Sequence, residues 1–250
     1  ETYTGDYTTV TNFSIDLFGY DNLQAGAVRL WEGTNSYYEE PHLASFMGRF
    51  NYTYADRYIL TVNARTDASS KFGNNHKWGF FPSVSAAWAV SEEKFMKRIP
   101  LVDNLKLRVS YGLAGNQNGI DSYTTLRLVR PNGVVPVGNS AVVTLGEMQN
   151  INPDLKWEVK HTFNAGADLG MFGNRLLFSI NYYNSKTTDM LYLYNVSVPP
   201  FAYNTLLANI GSMRNSGTEI AIGITPLKTR DMELNINANI TFQRNKLLSL

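Results

Sequence analysis

Residues 232–243 read MELNINANITFQ, and every second side chain in this stretch is apolar. The apolar positions are Met232, Leu234, Ile236, Ala238, Ile240 and Phe242. Because successive side chains of a β-strand point to opposite faces, this alternation predicts a strand with one apolar and one polar face. The stretch is longer than the usual strand of about 5–6 residues in soluble proteins. It suits a tilted strand that crosses a lipid bilayer, which needs about 9–11 residues.

The same alternation recurs along most of the chain. It is clear over Arg57–Asp67 and Leu105–Tyr111. Weaker versions of the pattern cover 43–54, 78–90, 155–170, 175–188 and 214–226. Long alternating segments with one apolar face are typical of outer-membrane β-barrels. With residues 232–243, the pattern therefore predicts about eight such strands.

The connections between these strands alternate between short and long. The short ones contain residues 55–56, 173–174 and 228–231, together with 91–103, which is predicted to form a helical turn capped by Ser91 and ended by Pro100. The long, polar ones cover 69–77, 114–154 and 189–213. Outer-membrane barrels have short periplasmic turns and long extracellular loops. The predicted fold is therefore all-β, an antiparallel transmembrane β-barrel segment.

The composition excludes several other classes of protein. The 250 residues carry 22 Lys and Arg against 21 Asp and Glu, so the net charge of +1 gives no sign of a nucleic-acid-binding surface. There is no Cys, which excludes disulfides and thiolate metal sites. The apolar runs are far shorter than the roughly 20 residues of a transmembrane helix. The first residues also lack the basic and apolar regions of a signal peptide.

If the apolar face meets lipid, the opposite face of each strand lines a polar interior. The charged and amide residues predicted on that face are Arg49, Asn51, Arg65, Asp67, Lys106, Arg108, Glu158, Lys160, Asp168, Glu219, Glu233 and Asn237. Both signs of charge are present, so we expect these side chains to pair across neighbouring strands.

Several phrases of the sequence, taken in order, resemble one family. They are ADRY at 55–58, RTDASSKFG at 65–73, KWGFFPSVSAAW at 77–88, SEE at 91–93, LKLRVSYG at 105–112, GNQ at 115–117, NPDLKWE at 152–158 and NIGSMRNSGTE at 209–219. Residues 43–250 thereby resemble the barrel of SusC/RagA-type TonB-linked (TonB-dependent) outer-membrane transporters. Residues 1–42 add little to the resemblance and are interpreted as an extracellular loop or the end of a preceding strand.

This resemblance implies a multi-pass protein of the bacterial outer membrane. The family's barrel has 22 strands around an N-terminal plug domain, which is not present in this sequence, so the chain is interpreted as an interior piece of the barrel. The implied function is active import of a glycan or oligosaccharide, or of a peptide. The implied partners are a SusD-like surface lipoprotein that covers the barrel and the TonB–ExbB–ExbD complex that acts on the plug. The resemblance implies no cofactor and no enzymatic activity.

The long connections are the best candidates for contact with a ligand or with the covering lipoprotein. Residues that could contact either partner are Asn116, Gln117, Asp121, Tyr123, Tyr192, Tyr194, Phe201 and Tyr203. The amides and the carboxylate could bind sugar hydroxyls, and the aromatic rings could stack on a sugar. Turn formation and packing within the loops are the alternative roles for the same residues. No metal site is predicted, because His42 beside Glu39 and Glu40 is too weak a ligand set. No catalytic site is predicted either.

A second interpretation of the alternation is a soluble β-barrel or β-sandwich that binds carbohydrate, with its apolar face turned inward. Alternation alone does not distinguish the two, whereas strand length and the unequal connections favour the membrane. A barrel enzyme would need a cluster of catalytic side chains, and the three His residues form none.

Overall fold

The structure is a computed structural model that describes residues 2–13 and 26–250. Contacts divide the chain into two units, Glu1–His42 and Leu43–Leu250. The first unit is an antiparallel hairpin of β1 (Tyr3–Phe13) and β2 (Gly26–Glu39). Within the described residues, no helix has the length and apolar character needed to cross a membrane.

The second unit is dominated by one antiparallel sheet of nine strands. Its strands are β3 (Leu43–Tyr54), β4 (Tyr58–Ser69), β5 (Trp78–Phe80), β6 (Ser83–Ala89), β7 (Val102–Asn116), β10 (Glu158–Met171), β11 (Leu176–Asn195), β12 (Thr205–Lys228) and β13 (Glu233–Ser249). Their order is β3-β4-β6-β7-β10-β11-β12-β13, with β5 also beside β4. A separate hairpin is formed by β8 (Val129–Val137) and β9 (Ser140–Glu147).

All eight predicted strands are present, so the predicted all-β antiparallel fold is confirmed. The predicted strand 78–90 is divided into β5 and β6, which keep one register along β4. Phe80 pairs with Thr66 and Ser83 with Asn63 on either side of the interruption. Pro82 lies at this interruption, where a residue without a backbone N–H weakens the ladder.

The predicted extents of two loops were wrong. Strands β11 and β12 contain 20 and 24 residues, so only 196–204 connect them where a loop over 189–213 was predicted. The predicted loop 114–154 contains the end of β7 and the hairpin β8–β9. Where a strand continues beyond its apolar segment, apolar and polar side chains no longer alternate, because both faces of the strand meet polar surroundings. Its ladder of backbone hydrogen bonds can nevertheless continue.

The register gathers apolar side chains from neighbouring strands into rows on one face of the sheet. One row is Leu169–Phe178–Ile222–Ala238 and the next is Ala167–Ile180–Ile220–Ile240. Within residues 43–250 no second layer covers this face: Phe46 is 64% exposed and Phe242 59%. A soluble β-sandwich or barrel would bury it, so this exposure argues against the soluble interpretation.

The turn between β3 and β4 is tight and uses left-handed backbone. Ala55 and Asp56 have φ of 52° and 54°, and the amide of Arg57 donates to the carbonyl of Tyr54 at 3.0 Å. Two consecutive residues with positive φ fit the twist of a hairpin, but they are strained for residues that carry a Cβ.

The connection between β6 and β7 differs from the predicted capped helical turn. It contains two single 3₁₀ turns, Val90–Glu92 and Met96–Arg98, and no side chain caps either of them, so the predicted cap by Ser91 was wrong. Glu93 organises this connection instead: it accepts from the Tyr58 hydroxyl at 2.8 Å, Trp88 Nε1 at 3.2 Å and Arg57 Nη1 at 3.2 Å. A capped helical turn is not needed here, because the Glu93 carboxylate already anchors the connection to the ends of β4 and β6.

These contacts hold the pKa of Glu93 below its ordinary value of 4.5. The main cause is the hydrogen bond from Tyr58, and the indole of Trp88 and the cation of Arg57 act in the same direction. Burial acts in the opposite direction but does not prevail. The ionised form of Glu93 is therefore the one that stabilises the fold.

Replacing Ala55 with Gly should stabilise the full-length barrel by about 1 kcal/mol, because Gly adopts positive φ without a Cβ penalty. The measurement is the free energy of unfolding in denaturant. Ala44→Gly in β3 is the matched control, since a Gly inside a strand should destabilise by about 0.5–1 kcal/mol. Equal effects of the two substitutions would contradict the strain at Ala55.

Glu93 should make stability depend on pH. A group with a lowered folded-state pKa stabilises above its unfolded pKa, and that contribution disappears as the pH falls through the folded value. We therefore expect wild type to exceed Glu93→Gln in stability at neutral pH, and the difference to shrink below pH 4.5. Unfolding of both proteins at several pH values measures it. A constant difference down to about pH 3 would refute the role of ionised Glu93.

Candidate functional site

Four polar side chains form a connected network on the face opposite the apolar rows. Nε of Arg108 on β7 lies 2.7 Å from Oδ2 of Asp168 on β10. Arg108 Nη2 donates to Asp168 Oδ1 and to Asn181 Oδ1, each at 2.9 Å. The Ser179 hydroxyl also donates to Asp168 Oδ1, at 2.8 Å. Three adjacent strands are thus joined through one neutralised ion pair, as the predicted cross-strand pairing requires.

A glycine makes room for this network. A Cβ at Gly166 would lie 2.3 Å from Asn181 Oδ1 and 3.2 Å from Arg108 Nη2. Any larger residue would therefore displace the amide that Arg108 contacts. The tight fit indicates that the network is a fixed part of this face of the sheet.

Two open grooves lie on either side of the network. One, of about 290 Å³, has polar lining residues Ser85, Lys106, Arg108, Ser110, Asn164 and Asn181. The other, of about 370 Å³, is lined in part by Asn104, Asp168, Ser179, Asn237 and Asn239. Among the polar side chains of both linings, most are amides and hydroxyls, so this face can form hydrogen bonds with neutral polar solutes.

A compact apolar cluster lies at the loop end of the sheet. Its buried members are Phe72, Phe81, Ile120, Leu155 and Trp157. The Trp157 ring lies 4.7 Å from Phe72 and 5.5 Å from Phe81 between centroids, and its Nε1 donates to the carbonyl of Lys77 at 3.1 Å. A Cβ at Gly73 would lie 1.9 Å from the carbonyl oxygen of Pro153. The cluster therefore holds the β4–β5 connection against the segment before β10.

Three asparagines, which we call the asparagine clamp, attach residues 148–157 to β12 and the loop before it. The Asn150 amide donates to the carbonyls of Tyr203 and Thr205 at 2.6 and 2.8 Å and accepts from the amides of Ala202 and Tyr203 at 3.1 Å. The Asn152 amide donates to the carbonyl of Leu207 at 3.0 Å.

Asn209 is the third member of the clamp and works in the reverse direction. Its Oδ1 accepts from the Lys156 amide at 3.0 Å, and its Nδ2 donates to the carbonyls of Lys156 and Asp189, both at 2.8 Å. An ion pair of 2.8 Å between Lys156 and Asp189 adds to this attachment. A side-chain amide carries both a donor and an acceptor, so it can replace a backbone partner where no strand lies alongside.

The structure places the first four predicted contact residues at the end of β7 and just beyond it. Asn116 is the last residue of β7, and its amide donates to Glu158 Oε1 at 3.3 Å. The side-chain oxygen of Gln117 is buried and has no hydrogen-bond partner among the described residues. The Asp121 carbonyl accepts from Thr124, and Tyr123 has a φ of 65°. Asp121 and Tyr123 therefore build a turn.

The other four predicted residues divide into exposed and occupied side chains. Tyr192 and Tyr194 lie in β11, not in a loop. Tyr192 is 47% exposed and Phe201 is 37% exposed, so both rings are accessible. The Tyr203 hydroxyl is occupied, since it donates to the carbonyl of Glu147. The first four and the last four predicted residues come together at Glu158. This carboxylate accepts from the Asn116 amide and from the backbone amide of Leu191, which is next to Tyr192.

The asparagine clamp was not predicted from the sequence. Two of its members, Asn152 and Asn209, lie within phrases that carried the family resemblance, and this was the only available signal. In the described part of the chain, no group of three or more His, Cys, Asp or Glu side chains could hold a metal ion. His42 Nε2 lies 3.8 Å from Glu40 Oε1.

Comparison with known proteins gives one family. A model of the family "TonB dependent receptor-like, beta-barrel" matches residues 1–248. TonB-dependent receptor P26 of Formosa agariphila is 38% identical over 214 residues, which cover 83% of this chain and 21% of that protein. TonB-dependent receptor SusC of Bacteroides thetaiotaomicron is 34% identical over 237 residues, 88% of this chain and 24% of that protein. The chain thus spans about a fifth to a quarter of these curated relatives.

Solved structures show the same fold. The RagAB peptide transporter matches with a TM-score of 0.81 and 28% identity, covering 100% of this chain and 27% of that one. The RagAB peptide importer in its "open-open" state matches over 100% of this chain and 27% of that one, with a TM-score of 0.83 and 27% identity. The siderophore receptor PirA from Pseudomonas aeruginosa shares the fold more distantly, at 14% identity and a TM-score of 0.55 over 87% of this chain and 36% of that one.

Substituting Asn209 with Ala should loosen residues 148–157, because three hydrogen bonds are lost and the backbone groups of Lys156 are left unpaired. We expect the Lys156 amide of the full-length protein to exchange with solvent about 5- to 150-fold faster, which corresponds to a loss of about 1–3 kcal/mol. Hydrogen–deuterium exchange measures this change. Asn239→Ala in β13 is the control, since no hydrogen bond of its side chain is seen in the described residues. Equal exchange in both variants would contradict the clamp.

Proposed function

Because this chain belongs to the TonB dependent receptor-like β-barrel family, we propose that it forms part of the wall of a bacterial outer-membrane barrel that imports a nutrient. The observation that carries the proposal is the match to SusC, at 34% identity over 88% of this chain. The likeness to the RagAB peptide transporter over the whole chain supports it. We propose a glycan, an oligosaccharide or a peptide as the nutrient.

In this proposal the two faces of the sheet have different tasks. The apolar rows meet lipid, as the exposure of Phe46 and Phe242 supports. The opposite face lines the interior, where Arg108 and Asp168 neutralise each other. Solute passing over this wall meets amides and hydroxyls in the two grooves, together with the cation of Lys106. Such a surface offers many weak hydrogen bonds and would not hold a neutral nutrient tightly.

We propose that energy comes from the TonB–ExbB–ExbD complex, which acts on a plug domain outside this sequence. The family is one of receptors and transporters, not of enzymes, and we assign no catalytic role to any residue. No cofactor is needed, since the wall only has to bind, orient and release the solute.

The loop end of the sheet is the proposed meeting place with the nutrient and with a SusD-like surface lipoprotein. All eight predicted residues, Asn116, Gln117, Asp121, Tyr123, Tyr192, Tyr194, Phe201 and Tyr203, belong to this proposal. Of these, Tyr192 and Phe201 have the strongest support, because both rings are accessible. The apolar cluster and the asparagine clamp hold these residues on a rigid base, which favours recognition.

Uptake by the native bacterium tests the proposal. Deleting the full-length gene should abolish uptake of one labelled oligosaccharide or peptide, and dissipating the inner-membrane proton gradient should have the same effect in wild type. Restoring the gene should restore uptake. If neither class of solute depended on the gene, or if the protein were absent from the outer membrane, the proposal would be wrong.

A double variant, Tyr192→Ala with Phe201→Ala, should reduce uptake at low substrate concentration by about tenfold, because each aromatic contact contributes about 0.5–1.5 kcal/mol. Tyr192→Phe is the control, since it keeps the ring and removes only the hydroxyl. Concentration-dependent uptake distinguishes weaker binding from lower protein abundance. Unchanged uptake in the double variant would remove these rings from the contact surface.

A further inference from the structure

Cationic side chains form a row across three neighbouring strands. Lys186 on β11 pairs with Arg214 on β12, and Arg214 pairs with Lys246 on β13. Arg244 on β13, paired with Ser216, lies one row nearer to the apolar rows. We call Lys186, Arg214, Arg244 and Lys246 the basic patch. His161 on β10, paired with Lys186, continues the same row.

The basic patch lies on the apolar face of the sheet. The register of β12 with its neighbours is uninterrupted from Met213 to Ile224, so alternate residues from Arg214 to Ile224 share one face. These residues are Arg214, Ser216, Thr218, Ile220, Ile222 and Ile224. Along this face the rows change gradually from aliphatic, through aromatic and hydroxyl, to cationic side chains.

The depth of the patch matches the edge of a membrane. Ten residues separate Ile224 from Arg214, which correspond to about 33 Å along a strand. A tilt of about 40° reduces this to roughly 25 Å along the membrane normal, which is the height of the apolar band of outer-membrane barrels. The short turns lie at the Ile224 end. The basic patch therefore lies at the border of the band on the side of the long connections.

No carboxylate of the described residues forms an ion pair with any member of the patch. Elsewhere cations do have such partners: Arg57 pairs with Glu93 and Arg108 with Asp168. Arg214, Ser216, Arg244 and Lys246 also line a depression of about 240 Å³. Several positive charges thus share one hollow without an anion from the described residues to balance them.

We propose that the basic patch binds the phosphate group of an outer-leaflet glycolipid. Arginine offers paired N–H donors that suit phosphate oxygens, and Ser216 adds a hydroxyl donor. A lipid is favoured over free phosphate, because the hollow adjoins the apolar rows that would hold its acyl chains. The inference rests on the proposed function, in which this face meets the outer membrane.

The test uses full-length protein purified in detergent and three probes: phosphorylated lipopolysaccharide, the same lipopolysaccharide after enzymatic dephosphorylation, and inorganic phosphate. Wild type should bind the phosphorylated form most tightly. The triple variant Arg214→Ala, Arg244→Ala and Lys246→Ala should bind it on the order of 100-fold more weakly, since each cation near an anionic lipid contributes about a factor of five. Binding should also weaken with salt.

The matched control removes three cations from the opposite end of the sheet: Arg175→Ala, Lys228→Ala and Arg230→Ala. This control should retain binding. The charge-conserving pair Arg214→Lys with Arg244→Lys should bind more tightly than the triple variant but less tightly than wild type, because lysine keeps the charge and lacks the paired donors. Resistance of the folded barrel to SDS at room temperature shows that each variant is folded.

Equal binding by wild type and the triple variant would overturn the inference, as would equal binding of dephosphorylated lipopolysaccharide. Tight binding of inorganic phosphate alone would replace the lipid with a free ion and overturn it too. These outcomes leave the proposed function intact, provided that the protein is found in the outer membrane. A protein absent from that membrane would overturn both.

Discussion

The structure depends on one constraint: in lipid, each backbone N–H and C=O group must find its partner within the protein. A sheet meets this constraint only if its strands pair along their whole length. The ladder between β11 and β12 is accordingly uninterrupted through the apolar rows, from the pair Leu176–Ile224 to the pair Thr187–Met213. The interruption at Pro82 leaves the register of β5 and β6 on β4 unchanged. Within the described residues 43–250, the sheet ends at β3 on one side and at β13 on the other.

The constraint also explains which parts of the fold were predictable. Where one face meets lipid and the other a polar interior, side chains must alternate, and strands such as β4 and β13 were predicted closely. Beyond the part of the sheet that meets lipid, nothing forces side chains to alternate. Residues 205–213 of β12 and the hairpin β8–β9 therefore show no alternation in the sequence. Pro131 and Pro136 further obscured that hairpin, although Pro is tolerated at strand edges. The register between strands was not predictable, because it depends on partners distant in sequence.

The candidate site was less predictable for a different reason. Amide and aromatic side chains in loops suit both ligand binding and loop construction, and only the structure distinguishes these uses. Asn150 is fully engaged by the backbone around Tyr203, whereas the oxygen of Gln117 is not engaged within the described residues. Likewise, the sequence position of Trp157 near the start of a strand suits an aromatic residue at the membrane interface, but the ring lies in a buried cluster. Both the clamp and the cluster hold loop segments in place where no neighbouring strand pairs with them.

The partners of the charged side chains also depend on which face of the sheet they occupy. On the interior face Arg108 is held by a carboxylate and an amide, so its charge is balanced by the protein itself. On the lipid face cations are absent from the apolar rows and reappear only at Arg244 and beyond. At that depth a long side chain can keep its stem beside lipid and its charged head in the polar headgroup region. The cation of Arg108 therefore has its partner within the protein, whereas a cation at the border can take its partner from the membrane.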